Sequence, residues 1–367
     1  MERIGFVGLP NAGKSSLFNA LGGQALAAAY PFATVDPNVA IVPVPDERLD
    51  KLAALTNSAK IVHAVVEFVD IAGLVAGAHQ GEGLGNRFLA HIREVDAITF
   101  VLRAFEDDDV MGPSDPLEHL ATVETELALA DLQSVEGKVE RQRKAMKLDK
   151  RPDLALEVDA LDAALASLSE GTPIYRSSLS AEHRAALKPW FLLTNKPVLV
   201  VLNIGEDQLA DAEAVAAPVR DAFGNGVGVG GASKVEVLPM CVQLEAEAAQ
   251  LPLEERAELL DAYDLGEGAV ARLIQSAYRI LGRRTFFTTG PDESRAWTFR
   301  AGAKAPECAG VIHTDFQRGF IKAECVHWDE LLELGSWSKA RDVGKLRIEG
   351  KDYEVVDGDV LEFRFNV

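Results

Sequence analysis

Short apolar runs alternate with longer segments of helical spacing along the first 283 residues of the chain. Apolar positions in the longer segments recur three and four residues apart, which predicts helices. The apolar runs predict buried strands at 3–7, 64–69, 96–105, 196–203 and 235–241. Because strands that alternate with helices form parallel sheets, the pattern predicts an α/β domain.

A different pattern interrupts this alternation. Apolar residues recur at helical spacing in two successive segments, and in the second they are spaced alternately four and three apart, as in a heptad seam. Gly171 and Pro173 predict the end of the second helix. We therefore expect an antiparallel helical hairpin inserted into the α/β domain. Its apolar positions are Leu120, Val123, Leu127, Leu132, Val135, Val139, Leu154, Val158, Leu161, Leu165 and Leu168.

The pattern of apolar and polar residues changes again near Arg284. Segments between 284 and 365 alternate apolar and polar residues, which predicts a small, separate, strand-rich domain without a catalytic constellation. His313 and Asp315 suggest an acid–base pair, but one short helix start explains them equally well. The predicted domains are 1–115 and 196–283 for the two parts of the α/β domain, 116–195 for the hairpin and 284–367 for the C-terminal domain.

The composition narrows the class of protein. A length of 367 residues predicts two or three domains, and a hydrophobic share of 48% is enough for real cores. No apolar run approaches the ~18 residues of a membrane span, and the first strand begins at Ile4, where no signal peptide fits ahead of it. The cysteines Cys241, Cys308 and Cys325 are odd in number and scattered. We therefore predict a reduced, cytoplasmic protein without a membrane partner, with buried inert cysteines or, alternatively, an oxidation-sensing thiol.

The formal charge of −20 argues against broad, nonspecific binding of nucleic acid and against a DNA partner. A local basic excess stands out against it at the tip of the predicted hairpin, at 138–151. Such a run is commonly a solvated face, and the alternative is a contact with RNA or the ribosome. Its cations are Lys138, Arg141, Arg143, Lys144, Lys147, Lys150 and Arg151.

The segment 8–15 matches the phosphate-loop pattern G-x-x-x-x-G-K-[ST] and lies between a predicted strand and a predicted helix. Lys14 can reach the β and γ phosphates of a nucleotide, and the Ser15 hydroxyl can ligate Mg²⁺. The alternative is a chance glycine turn before a helix. Backbone N–H groups of the loop and the helix start can surround phosphate oxygens, so the binding residues are Asn11, Ala12, Gly13, Lys14, Ser15 and Ser16.

Two further segments carry the expected switch residues. Thr34 lies in a proline-containing loop, where we expect it to complete the Mg²⁺ shell and sense the γ-phosphate. Asp70 ends a predicted strand, as in a Walker-B motif, and would support Mg²⁺. The Gly73 N–H could meet the γ-phosphate, but Leu74 stands where many GTPases place a water-orienting Gln. His79 follows in the same glycine-rich segment, where a solvated loop His is the simpler interpretation.

A base-reading motif follows the strand at 196–203. GTPases read guanine there with Asn-Lys-x-Asp, whereas this chain has Asn203-Ile-Gly-Glu206. The Asp of the GTPase motif accepts hydrogen bonds from guanine N1–H and the 2-amino group, and adenine lacks that amino group and has an acceptor at N1. The changes therefore weaken the guanine code and leave room for adenine. Val242 and Gln243 follow the last strand, where a base-contacting loop is expected. Cys241, which ends that strand, and Val242 are the predicted binding residues there.

These residues together resemble the YchF family of Obg-like P-loop ATPases. The resemblance covers essentially the whole chain. It implies a Ras-like P-loop NTPase domain with a helical coiled-coil insertion and a C-terminal TGS domain, a ubiquitin-like β-grasp. The stretches that carry it are 8–15, 30–38, 70–85, 203–206, 311–316, 349–353 and 357–360.

The resemblance also implies an activity. It implies hydrolysis of ATP in preference to GTP, base contact by the Ile204 backbone, ribosome association and links to stress. Leu74 would be the family's hydrophobic replacement for the catalytic Gln, and Asn11 resembles the position that supports K⁺ in related switches. The chain departs from the family where many relatives carry a loop His, since it has Met111 and Gly112 there. Gly205 also removes a side chain from the base motif.

The main hypothesis is a Mg²⁺-dependent ATPase that acts as a slow switch and reports to the ribosome through the hairpin and the C-terminal domain. In it, Lys14, Thr34, Gly73 and Leu74 surround the reacting phosphate, and Ser15, Thr34 and Asp70 hold the metal. A GTPase of similar fold is the first alternative. The second is a nucleotide-gated adaptor whose hydrolysis is incidental, which Leu74 and the missing loop His favour.

Overall fold

The computed structural model describes residues 2–27, 35–36, 38–71, 84–107, 109–148, 151–224, 235–266 and 268–366. The chain divides into two compact units, Met1–Val42 with Val66–Leu281 and Pro43–Val65 with Gly282–Val367. In the described part of the chain, no helix is long and apolar enough to cross a membrane.

Strands are numbered in chain order. They are β1 (Arg3–Val7), β2 (Val35–Asp36), β3 (Val39–Pro43), β4 (Ile61–Val62), β5 (Val65–Asp70), β6 (Ala97–Arg103), β7 (Val198–Asn203), β8 (Val237–Met240), β9 (Arg283–Thr288), β10 (Ser294–Arg300), β11 (Phe320–His327), β12 (Arg347–Glu349) and β13 (Asp359–Phe365).

Helices are numbered in the same way. They are α1 (Lys14–Ala27), α2 (Glu47–Thr56), α3 (Leu84–Glu94), α4 (Pro116–Leu148), α5 (Pro152–Ser169), α6 (Ala181–Ala186), α7 (Ala212–Phe223), α8 (Val242–Ala248), α9 (Leu253–Ala262), α10 (Ala269–Ile280), α11 (Ala305–Ile312), α12 (Thr314–Arg318), α13 (Trp328–Leu334) and α14 (Trp337–Asp342).

The first unit is built on a mainly parallel sheet. Seven strands of its described residues form the sheet, in the order β2-β3-β5-β1-β6-β7-β8. Strands β5, β1, β6, β7 and β8 pair in parallel, whereas β2 and β3 pair antiparallel. Every residue of β6 and β7 is buried, which explains their continuous apolar sequence. The predicted α/β domain is confirmed.

The register of the sheet places the chemical residues at one edge. Phe6 lies opposite Asp70, Arg103 opposite Asn203, and Asn203 opposite Met240. The phosphate loop follows β1 at the same edge. Carboxyl ends of parallel strands are where ligands bind in such sheets, so the fold itself gathers the site.

The predicted helical hairpin is present. Helix α4 has 33 residues, and the Asp115 carboxylate caps its first turn by accepting from the Leu117 N–H at 2.8 Å. Val135, Val139, Leu161 and Leu168 of the predicted seam are buried in a core shared by α4 and α5. The first seam residues of α4, Leu120, Val123 and Leu127, pack instead in the core of the parallel sheet. The buried Asp131 carboxylate accepts from Thr194 N–H and its hydroxyl, both at 2.7 Å. That contact anchors α4 to the segment that leads into β7.

The second unit has a β-grasp sheet. Within the described residues its strand order is β12-β11-β13-β9-β10-β4. Strands β9 and β10 form an antiparallel hairpin, β13 pairs in parallel with β9, and β11 pairs antiparallel with β13. The core beneath α11 includes Phe286, Phe299, Phe320, Cys308 and Cys325. The buried cysteines are free, as expected. The predicted C-terminal fold is therefore confirmed.

The second unit also contains a segment that the sequence placed elsewhere. Residues 43–65 were predicted within the first domain, at 1–115, whereas the structure groups them with the second unit. Strand β4 pairs with β10, and Arg48 forms a 2.7 Å ion pair with Asp357. A two-residue strand and a contact across some 300 positions leave no local sequence signal, so the boundary is visible only in the fold.

Candidate nucleotide-binding site

The phosphate loop has the backbone of an anion cradle. Asn11 and Gly13 have φ angles of 62° and 98°, so the loop turns sharply before α1 begins at Lys14. A Cβ on Gly13 would lie 2.4 Å from Asn203 Nδ2, and one on Gly8 would lie 2.4 Å from the Val101 carbonyl oxygen. The two glycines of the motif are therefore required by close packing, and the loop is no chance turn.

Lys14 folds back over this loop. Its ammonium donates to the carbonyl oxygens of Gly8 at 3.0 Å and Leu9 at 2.8 Å, and the residue is only 7% exposed. Burial lowers its pKa to about 8, while the negative charge of Asp70 opposes that shift. A buried cation held by neutral carbonyls is stabilised when phosphate oxygens arrive, because they supply the missing negative charge.

Ser15 and Asp70 lie together, as a magnesium site requires. The Ser15 hydroxyl donates to Asp70 Oδ2 at 3.1 Å. Asp70 Oδ1 is buried and accepts no hydrogen bond from any described residue. An orphaned carboxylate oxygen beside a hydroxyl is a hard oxygen donor set, which fits Mg²⁺. No group of three His, Cys, Asp or Glu side chains in the described ranges could hold a metal, so hydroxyls, water and phosphate would supply the other ligands.

Asn203 joins the two loops of the site. Its Nδ2 donates to the Ala12 carbonyl oxygen at 3.1 Å, and its Oδ1 accepts from the Val242 N–H at 3.1 Å. The side chain is buried, so it fixes the position of the phosphate loop relative to the start of α8. The sequence predicts that Asn203 contacts the base, and the structure adds this bridging role.

The other base-motif residues have distinct surroundings. The Ile204 N–H donates to the Met240 carbonyl oxygen at 3.0 Å, so this N–H is not available to a base. Glu206 is exposed, and its Oε1 accepts from the Tyr263 hydroxyl at 2.6 Å. Tyr263 carries no signal in the sequence that links it to Glu206, because it lies 57 positions away, just after α9.

A cleft of about 770 Å³ lies between the phosphate loop, the base motif and the start of α8. This volume is typical of small-molecule sites. The cleft brings together ten of the predicted binding residues, while Ala12 is buried behind the loop. Thr34, Gly73 and Leu74 lie outside the described residues, as does His79. The predicted residues that line the cleft are Asn11, Gly13, Lys14, Ser15, Ser16, Asn203, Ile204, Glu206, Cys241 and Val242.

Arg103 organises the loop that forms one wall of the cleft. It is 2% exposed, and its guanidinium donates to the carbonyl oxygens of Phe105, Asp107 and Val110 at 3.0–3.3 Å. The guanidinium also lies 4.6 Å from the centre of the Phe105 ring. An Arg that ends an apolar strand was the available sequence signal, and it was missed.

The same loop contacts the phosphate loop directly. Asn11 Nδ2 donates to the Met111 carbonyl oxygen at 3.3 Å. The Met111 side chain is 84% exposed, so at this position the backbone makes the contact. The loop that lacks the expected His is therefore still tied to the nucleotide site.

A glycine loop between a parallel strand and a helix, a lysine folded over it and a Ser–Asp pair beside it define a P-loop nucleoside triphosphatase. A family model described as "50S ribosome-binding GTPase" matches residues 3–139. A second, for the C-terminal part of YchF GTPases and described as a protein of unknown function, matches residues 284–366. The chain belongs to the YchF family.

Full-length relatives support this assignment. A ribosome-binding ATPase YchF of Bacillus subtilis is 46% identical over 99% of both chains. An Obg-like ATPase 1 of Oryza sativa is 40% identical, covering all of this chain and 92% of that protein. The solved structure of the Schizosaccharomyces pombe YchF GTPase superposes with a TM-score of 0.85 at 33% identity, over 99% of this chain and 97% of that one.

Proposed function

We propose that this protein is a cytoplasmic, Mg²⁺-dependent ATPase that hydrolyses ATP to ADP and phosphate as a slow switch and associates with the ribosome. The observation that supports the proposal is the cleft lined by Lys14, Ser15 and the base motif, with Asp70 hydrogen-bonded to Ser15 at 3.1 Å. The relatives named ribosome-binding ATPase support the substrate and the partner.

Ser15, Thr34 and Asp70 would hold the metal, which when bound neutralises phosphate charge. Lys14 places its ammonium against the β and γ phosphates, and the backbone N–H groups of the phosphate loop orient them. The Gly73 N–H would donate to the γ-phosphate. A water molecule attacks the γ-phosphorus in line, and the O–P bond to ADP breaks. The protein mainly positions groups and stabilises charge.

The base motif favours adenine for two reasons. The Ile204 carbonyl can accept from the adenine 6-amino group, whereas it would repel the guanine 6-oxygen, which is also an acceptor. Tyr263 holds one oxygen of the Glu206 carboxylate, so Glu206 is poorly placed to accept both guanine donors. A site that leaves the hydrogen-bond donors of a base unpaired discriminates strongly against that base, which here is guanine.

Slow turnover follows from what the chain lacks. Leu74 cannot hydrogen-bond water, and Met111 and Gly112 stand where the family resemblance leads us to expect a loop His. ATP would order the segments around Thr34 and Gly73, and hydrolysis would release them. Asn11, whose amide nitrogen donates to Met111, keeps its amide oxygen for K⁺, a candidate second cation.

A ribosome contact is supported by the tip of the hairpin. Arg141, Arg143, Lys144 and Lys147 are exposed on the last turns of α4, and Lys150 lies outside the described residues. Counterion release from RNA would make such a contact weaken with salt. Substitution of Arg141, Arg143 and Lys144 by Glu should reduce the fraction of protein that sediments with ribosomes. Unchanged sedimentation would favour the alternative interpretation, that the basic tip is only a solvated surface.

Substrate competition tests the activity. ATP and GTP compete against one fluorescent nucleotide with Mg²⁺ present, and steady-state phosphate release is followed for both. We expect ATP to win and Lys14→Ala to abolish turnover. Binding of neither nucleotide, or turnover that survives Lys14→Ala, would overturn the proposal.

A GTPase is the second candidate, because the family model and the Schizosaccharomyces pombe structure both carry that word. A clear preference for GTP in the same competition would select it. If the affinity for ribosomes is the same with ATP, with ADP and without nucleotide, the proposal of a nucleotide-controlled switch is wrong. Turnover that ribosomes do not change would favour the adaptor with incidental hydrolysis.

A further inference from the structure

One exposed aromatic residue of the hairpin region stands in an unfavourable backbone conformation. Phe191 has φ 51° and ψ 40°, the left-handed region that glycine adopts readily and bulky residues rarely do. Its side chain is 62% exposed. A strained backbone and an unburied aromatic ring both work against stability, and residues of this kind cluster at functional sites.

The neighbours of Phe191 are firmly placed. Leu187 and Leu192 are buried in the core of the hairpin, and Trp190 packs against that core. The Phe191 N–H closes the turn by donating to the Lys188 carbonyl oxygen at 3.2 Å. The exposed ring therefore projects from a rigid base, so its exposure does not result from a loose chain end.

Tertiary packing adds a cation from a distant part of the sequence. Lys138 of α4 donates to the Trp190 carbonyl oxygen at 3.2 Å, and its ammonium lies 5.1 Å from the centre of the Trp190 ring. Fifty-two positions separate the two residues. Lys188 is exposed on the same turn. We call Lys138, Lys188, Trp190 and Phe191 the aromatic–basic patch.

Further positive charge continues from the patch along α4. Arg141 and Lys144 follow Lys138 at intervals of three, which makes them neighbours on the helix surface. Both are exposed, and neither forms an ion pair with any described residue. Glu140 lies nearby but is paired with Arg143 at 3.3 Å. A chain of formal charge −20 thus presents a row of positive charge that reaches Trp190, the residue next to the exposed Phe191.

We propose that the aromatic–basic patch binds single-stranded RNA, with a base stacked on Phe191 and the phosphates following Lys138, Arg141 and Lys144. Every base has a flat face, so aromatic residues beside a cationic groove are the usual means of binding unpaired strands. The inference rests on the proposed ribosome association and names the part of the chain, and the kind of RNA, that would form the contact.

Phe191→Gly is the decisive variant. Glycine relieves the left-handed backbone, so the melting temperature should be unchanged or higher, while stacking is lost. With a fluorescein-labelled oligouridine as probe, we expect the Kd to rise about ten-fold, and Phe191→Trp to retain wild-type binding. Ile348→Ala, at another exposed apolar position, is the matched control and should change nothing.

The same variants are then tested on ribosomes. Phosphate release without ribosomes should be normal, because the patch does not line the nucleotide cleft. If the wild type never binds ribosomes, the proposed association fails. If it binds them and Phe191→Gly binds both probes equally well, only the patch proposal is wrong. Ultraviolet cross-linking of the wild-type complex gives a further test. If Phe191→Gly loses ribosome binding but the wild type cross-links only to a ribosomal protein and not to RNA, the patch proposal is also overturned.

Discussion

Two residues of the site are held by contacts that the fold creates. Burial among carbonyl groups lowers the pKa of Lys14, and the Tyr263 hydroxyl holds the Glu206 carboxylate. Neither effect follows from the motif residues alone. At the scale of single residues, the charge of Lys14 and the hydrogen bonding of Glu206 therefore depend on neighbours that the motifs do not include.

We expect nucleotide affinity to fall above pH 8. The Lys14 ammonium loses its proton near pH 8 and not near its ordinary 10.5, and a neutral amine offers phosphate no charge. The Kd for ATP should rise by up to about ten-fold per pH unit above that point. Titration by fluorescent nucleotide checks this, and Lys14→Arg, which stays charged, should show a flatter profile. An affinity independent of pH up to about 10 would contradict it.

The stability of the nucleotide-free protein should rise with pH above pH 8, whereas its affinity for ATP should fall. Between pH 8 and 10.5 the folded Lys14 binds fewer protons than the unfolded one, so this group adds to the free energy of unfolding as pH rises. Urea unfolding at several pH values, compared between the wild type and Lys14→Met, isolates that contribution. A difference that stays constant as pH rises would show the pKa of Lys14 to be unperturbed, and a wild type that loses stability relative to Lys14→Met as pH rises would show it to be raised.

Tyr263→Phe should relax the choice between ATP and GTP. Without the hydroxyl, the Glu206 carboxylate is free to turn and accept both guanine donors, so the preference for ATP should fall about ten-fold. Competition against one labelled nucleotide measures the ratio, while turnover of saturating ATP should be unchanged. Glu206→Gln is the companion variant, and an unaltered ratio in both would remove Glu206 from base selection.

At the scale of elements, the loop after β6 depends on one buried side chain. Arg103 donates to several carbonyl oxygens of that loop, which also lines the cleft and touches Asn11. The loop then leads directly into α4, whose far end carries the basic tip. Arg103 therefore positions the wall of the nucleotide site at the point where the hairpin begins.

We expect Arg103→Lys to weaken ATP binding without removing the charge. A lysine cannot reproduce the planar fork of donors, so the KM for ATP should rise about ten-fold and the free energy of unfolding should fall by about 2 kcal/mol. Steady-state kinetics and urea unfolding measure the two effects. Arg143→Lys, at an exposed position on α4, is the control. Equal effects in the Arg103→Lys and Arg143→Lys variants would show that Arg103 does not position the loop.

At the scale of the whole molecule, the units do not follow the order of the sequence. Residues 43–65 complete the second unit, where Leu49 and Leu52 are fully buried and β4 extends the sheet. The chain thus leaves the first unit, contributes to the second and returns. Truncation at residue 282 would separate parts that fold together.

A fragment of residues 282–367 should therefore be less stable than the same fragment supplied with a peptide of residues 43–65. Each buried leucine contributes about 2 kcal/mol, so the peptide should raise the melting temperature. The matched peptide with Leu49→Asp and Leu52→Asp should have no effect. If neither peptide changes the melting temperature, the segment belongs energetically to the first unit.

Much of this protein could be predicted from the sequence, because periodicity and short motifs are local. The phosphate loop, the parallel strands, the heptad seam and the strand-rich C-terminal part all repeat at intervals of two to four residues or occur as contiguous patterns. Tertiary structure alone decided the contacts between distant positions: Asn203 with the phosphate loop, Tyr263 with Glu206, Lys138 with Trp190, and residues 43–65 with β10. Such pairings depend on how the chain closes over long loops, and no local pattern encodes that closure.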